Sequence, residues 1–132
     1  MEVEQGNEYR PLILVAEDDD SNFKLIKAII GKKCDILWAK NGLEIVDLYK
    51  EHGSKASAIL MDIKMPMMNG LDAMKIIRGE GATLPIIMQT AYAFSSDREM
   101  AMDAGATEVL VKPITLGILR MTLSKYLPEL KW

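Results

Sequence analysis

The chain has 132 residues, 49% hydrophobic and 27% charged, with a net charge of −3 and a pI near 5.2. A single domain of this size buries a full core without disulfides or a structural metal, and the composition is too apolar for a disordered segment. The mild acidity and absence of a Lys/Arg cluster exclude a general nucleic-acid surface, and no apolar run suits a signal peptide or membrane span, so a cytoplasmic protein without membrane contact is expected.

Met1 to Arg10 is polar and aperiodic, a loose tail or the remnant of a linker, and the folded domain is expected over residues 11–132. Pro11 opens a first strand, LILVA, which runs into Glu17-Asp18-Asp19-Asp20. Ser21 to Lys33 follows at helical spacing, with Phe23, Ile26, Ile29 and Ile30 on one face and Asp19 or Asp20 as N-cap. Strand two is Cys34 to Ala39. Cys34 is the only cysteine, a buried small residue with no partner for an intramolecular disulfide.

Asn41-Gly42 caps a second helix to about His52, with Ile45, Val46 and Tyr49 inward. His52, the only histidine, belongs to the surface near that helix end. Strand three, Ala56 to Met61, is a short apolar run that delivers Asp62 to its end and stops at the turn chemistry of Pro66 and Asn69-Gly70. Helix three spans Leu71 to Arg78, ended by Gly79 and Gly81, and strand four, Pro85 to Gln89, leads to Thr90. A capping box between Ser96 and Glu99 starts helix four, and Gly105 ends it. Strand five, Glu108 to Val111, precedes Lys112-Pro113. Thr115 caps a last helix carrying Leu116, Leu119 and Leu123 before Pro128. The ten methionines are spread through these elements and read as core gap-fillers.

Five strands alternate with five helices, and each strand is almost continuously apolar, as when helices cover both faces. The expected fold is α/β, a doubly wound five-stranded parallel sheet. Parallel strands share one carboxyl edge, where open α/β sheets place their ligand crevice. That edge receives Glu17, Asp18, Asp62, Thr90 and Lys112, while Lys40, after strand two, is peripheral. Each pair of carboxylates ~4 Å apart costs about 4 kcal/mol at an effective dielectric near 20. Either one acid takes a proton or a cation neutralises them. An all-oxygen site suits a hard ion such as Mg²⁺, and a lysine and a hydroxyl facing it suit a phosphoryl group.

The segments LILVAEDD, MDIKMPMMNG, IIMQTA and AGATEVLVKP, in this order, closely resemble the receiver domains of bacterial two-component response regulators, over about Leu12 to Leu127. The pair Glu17-Asp18 with Asn22 is most similar to receivers of hybrid sensor kinases. The resemblance implies a flavodoxin-like strand order 2-1-3-4-5. It further implies a signalling domain rather than a turnover enzyme, one that assists its own phosphorylation and dephosphorylation. Asp62 is the implied phosphoacceptor. Mg²⁺ is held by Glu17, Asp18, Asp62 and the backbone carbonyl of Lys64, and the phosphoryl oxygens by Thr90, the Ala91 N–H and Lys112. Lys112-Pro113 is the implied cis peptide.

The implied partners are a sensor histidine kinase or histidine phosphotransfer domain and an unidentified downstream protein. Homodimerisation on phosphorylation is an outcome the resemblance allows. Val109 stands where the family commonly carries an aromatic that changes rotamer. Lys64 and Tyr92 occupy positions that in the family influence access of the hydrolytic water. Two rival readings are a non-phosphorylated interaction module, disfavoured by the complete residue set, and an aspartyl-phosphate hydrolase. The latter usually carries a second acid two residues after its nucleophile, where this chain has Lys64.

Overall fold

A computed structural model describes residues 9–92 and 96–132, so Met1 to Glu8 of the expected tail lie outside the described residues. The strands are β1 (Leu12–Ala16), β2 (Asp35–Ala39), β3 (Ala56–Asp62), β4 (Ile86–Thr90) and β5 (Glu108–Val111). The helices are α1 (Asp20–Ile30), α2 (Gly42–His52), α3 (Gly70–Gly79), α4 (Asp97–Asp103) and α5 (Leu116–Tyr126). Strands and helices alternate, and the five strands pair in parallel in the order β2-β1-β3-β4-β5.

The two-residue alternation of the strands sorts their side chains between two apolar layers. Leu14, Ile59, Met61, Ile86 and Met88 meet Ile45 of α2, Met74 and Ile77 of α3 and Ala101 of α4. On the opposite face Ile13, Val15, Leu60 and Ile87 meet Phe23, Ile26 and Ile30 of α1 and Leu119 and Leu123 of α5. Both faces of the three central strands are thereby dry, which accounts for their unbroken apolar runs. Their backbone polar groups are spent on neighbouring strands, so the sequence turns polar only where the strands end.

Four helices begin on capped turns: Asp19, Asn41, Asn69 and Thr115 each accept a backbone N–H in the first turn of their helix. The expected capping box of α4 is not formed. Ser96 already has helical dihedrals (φ −66°, ψ −10°) and makes no side-chain capping bond, because its oxygen cannot reach over the following turn from that backbone. Leu116 does not share the buried stripe of α5; it lies in the first turn, just past the cap, and is exposed while Leu119 and Leu123 are fully covered. The N-terminal boundary also sits differently. Arg10, expected within the tail, donates to the carbonyls of Gly31, Lys32 and Cys34 and to Asp35, closing the turn between α1 and β2. Arg78 does the same at the opposite end of the sheet from the site, donating to the carbonyls of Ala82, Leu84 and Gly105. Among the described residues no helix is long and apolar enough to cross a membrane.

Candidate functional site

Register fixes which strand ends become neighbours. Ala16 pairs with Met61, Asp62 with Gln89 and Thr90 with Val111, so Glu17, Asp62, Thr90 and Lys112 emerge in sequence along one edge. Glu17, Asp62 and Thr90 are nearly inaccessible, at 0%, 6% and 1% exposure, whereas Asp18 is exposed. Carboxylate oxygens of Glu17, Asp18 and Asp62 lie within 4.8 Å of one another. Lys112 reaches across from β5, its Nζ 2.9 Å from Asp62 Oδ2 and 3.5 Å from Glu17 Oε1. The Lys112–Pro113 peptide is cis, as the resemblance implied.

Burial, and after it the negative charge of Asp62, push the Glu17 carboxyl up to about 7, against the opposing hydrogen bond from Asp19 N–H and the charge of Lys112. For Lys112, burial acts to lower the pKa, but the hydrogen bond to Asp62 and the charges of Asp62 and Glu17 outweigh it and raise the ammonium above its usual range. Both alternatives for relieving acid repulsion thus operate together: one acid is biased toward its protonated form and a cation is drawn in. Glu17 Oε1 is buried and has no hydrogen-bond partner among the described residues.

The loops that carry these side chains are braced by close backbone contacts. Ile63 N–H donates to Gln89 O (3.0 Å), Gly70 N–H to Ile63 O (2.8 Å) and Gly42 N–H to Met68 O (2.9 Å). A Cβ on Gly70 would lie 2.1 Å from the Asp62 carbonyl oxygen, which is why helix α3 starts on glycine. Within the same loop Met67 takes a left-handed backbone (φ 70°) that non-glycine residues seldom adopt.

Thr90 Oγ1 accepts Tyr92 N–H at 3.1 Å, and Ala91 and Tyr92 are exposed beside it. The Lys64 Nζ lies 3.8 Å from Asp97 Oδ2 and 5.8 Å from the Tyr92 ring centre. Val109 is buried on the α2–α3–α4 face, and His52 is half-buried at the end of α2, in the turn that leads into the start of β3 rather than at the carboxyl ends of the strands.

Two residues near the site went unnoticed in the sequence. Gln89 is 1% exposed and its Nε2 has no partner among the described residues; it borders a cavity of about 30 Å³ with Asn22, Lys112 and Pro113, enough for a water. Trp38 was not expected near the acids, yet its indole N–H donates to the Glu17 carbonyl at 2.8 Å. The signal available was the strand order, which sets β2 beside β1; the ring's rotamer was not readable from it.

The sequence model of the response regulator receiver domain matches residues 13–124. The chain belongs to this family. It is the receiver domain of a two-component phosphorelay, of the phosphoryl-accepting signalling type. The hybrid signal transduction histidine kinase I of Dictyostelium discoideum is 38% identical over 129 residues, 89% of this chain but 7% of that kinase. The polar-differentiation response regulator DivK of Brucella anthropi is 31% identical over 120 residues, 89% of this chain and 96% of that protein. Among solved structures, the receiver domain of the response regulator Ssk1 from Saccharomyces cerevisiae, determined with the histidine phosphotransfer protein Ypd1, superposes with a TM-score of 0.80 at 27% identity, covering 89% of this receiver and 88% of that chain.

Receiver domains bind Mg²⁺ in an acidic pocket, and the donor set here is suited to that ion. Its side-chain donors are all oxygen, and the buried Glu17 Oε1 has no hydrogen-bond partner among the described residues, with the Lys112 ammonium 3.5 Å away.

Proposed function

We propose that this receiver takes a phosphoryl group onto Asp62 from a phosphohistidine of a sensor kinase or histidine phosphotransfer domain. An Asp62 carboxylate oxygen attacks the phosphorus, the P–N bond breaks, and the histidine leaves as neutral imidazole once protonated. Glu17, Asp18 and Asp62, with the Lys64 carbonyl, would hold Mg²⁺, which supplies charge neutralisation at the phosphoryl oxygens. Lys112, the Thr90 hydroxyl and the Ala91 N–H are assigned to those same oxygens. The observation that carries this reading is the reach of Lys112 Nζ to Asp62 and Glu17 together, a cation already poised over the acceptor. The DivK likeness, over nearly the full length of both chains, and the Ypd1–Ssk1 pairing support a phosphorelay donor.

Phosphorylation changes the partners of Lys112 and Thr90, and only such differential contacts can shift a conformational equilibrium. Exposed Met100, Met102, Val111, Leu116, Ile118 and Met121, along α4, β5 and α5, support an output by partner docking or self-association. Incubation with acetyl phosphate and Mg²⁺, followed by peptide mass spectrometry, tests the assignment. The expected result is a single acid-stable, base-labile phosphoryl group on Asp62, absent from Asp62→Asn. Equal labelling of both proteins would show that the acceptor lies elsewhere.

A further inference from the structure

We infer that Trp38 is a positioning residue for the divalent-cation site, acting through the peptide plane that joins Glu17 to Asp18. The inference rests on the reading of Glu17 and Asp18 as cation ligands, and it concerns how they are aimed. β1 ends at Ala16, so Glu17 is the first residue beyond the strand. Its N–H is still held by Ala39 O of β2 at 2.9 Å, but its carbonyl lies past the end of β1 and accepts instead from Trp38 Nε1 at 2.8 Å.

Because a peptide unit is planar, holding that carbonyl fixes ψ of Glu17 and φ of Asp18 together. Those two dihedrals set the direction of one buried carboxylate relative to the exposed one that follows it. Release of the carbonyl lets the plane swivel and part the two acids, although neither side chain is itself touched.

Trp38 is well placed to impose this. Its ring stacks face to face on Phe23 of α1, centroids 3.9 Å apart and planes parallel. Lys40 Nζ sits 4.8 Å from the ring centre on its way to Asp20 Oδ1, 3.7 Å away. The indole therefore bridges three pieces of the fold: strand β2, the acid-bearing turn and the start of α1. A clamp of this kind raises affinity by pre-ordering the ligands, since ordering is then not charged against binding. Outer partners of metal ligands typically change affinity by about 10–100-fold when removed. Here the lower end is expected, because the hydrogen bond is made to the backbone.

Trp38→Phe deletes the donor and keeps a ring to stack on Phe23, so it isolates the hydrogen bond. Mg²⁺ binding is measured by titration calorimetry on wild type, Trp38→Phe and Trp132→Phe, with melting in chelator as the check on folding. The expected result is about 10-fold weaker Mg²⁺ binding by Trp38→Phe, with a cooperative melt retained in chelator. Trp132→Phe, which keeps Trp38 as sole emitter, binds as wild type and shows a saturable fluorescence change with the calorimetric midpoint. Wild-type affinity in Trp38→Phe overturns the inference and leaves the metal reading intact. Absence of Mg²⁺ binding in wild type overturns both. Should Trp38→Phe lose its cooperative melt, Trp38 is a packing residue and the positioning role is rejected.

Discussion

On the β1–β3 side of the site the acids are carried by backbone that other elements hold, whereas on the β4–β5 side the functional side chains are held by partners that phosphorylation of Asp62, as proposed above, would replace. Glu17 is fixed by Ala39 and Trp38 of β2, and the turn after Asp62 by Gln89 and Gly70. Lys112, by contrast, spends its ammonium on Asp62 itself, and Thr90 Oγ1 is occupied by Tyr92 N–H. The acidic half is therefore a preformed cradle. On the proposed reading, the Lys112–Thr90 half is a set of contacts that phosphorylation would reassign, as expected of groups that report on modification.

The sharpest way to break this contrast is to remove Lys112. Lys112→Met deletes a preorganised charge aimed at the transferring group, and phosphorylation by acetyl phosphate is expected to slow by about 10²–10³-fold. Mg²⁺ affinity should hold or rise, because a competing cation has gone while the acids keep their backbone supports. Stopped-flow labelling and calorimetry separate the two effects. A mutant that lost Mg²⁺ binding as completely as labelling would show that the acids depend on Lys112 and are no preformed cradle. The complementary change attacks the cradle. Gly70→Ala would place a methyl 2.1 Å from the Asp62 carbonyl oxygen, with backbone on both sides of the clash. A loss of about 3 kcal/mol in urea unfolding is expected. Wild-type stability would mean that the β3–α3 turn yields easily and the two halves do not differ in stiffness.

That contrast was only half legible in the sequence. Period and punctuation gave the ten elements, and the parallel arrangement put Glu17, Asp62, Thr90 and Lys112 on one edge, because an acid or lysine at the end of an apolar strand has nowhere else to go. Caps that depend on one residue's short reach, Asp19, Asn41 and Thr115, were readable for the same local reason, whereas Asn69, which caps α3, was read only as part of a turn. Ser96 failed because its own backbone is helical, a property that the S-x-x-E pattern does not encode. What tertiary packing decides stayed hidden: the Trp38 bond to Glu17 and the Arg10 bonds at the end of α1 each need a rotamer and a neighbour from another element.

The smallest effect tests the charge state of the cradle and follows from Glu17 alone. In chelator its carboxyl titrates at about 7 in the folded chain against 4.5 as the ordinary value. Below the ordinary value both states are protonated and nothing is lost. As pH rises between the two, the unfolded chain gives up the proton while the folded chain keeps it, so the folded state binds more protons and stability falls with pH. The expected loss attributable to Glu17 is about 2 kcal/mol from about pH 5 to pH 7. The raised pKa of Lys112 acts elsewhere, adding stability that persists through neutral pH and disappears only at strongly alkaline pH. Glu17→Gln cannot titrate, so the difference between wild type and mutant urea midpoints should slope with pH in chelator. The slope should flatten with saturating Mg²⁺, since a cation beside Glu17 favours its ionised form and brings the folded pKa back down. A difference that stayed level across this range in chelator would mean that Lys112 already compensates both acids, leaving the buried Glu17 oxygen no call for a second cation.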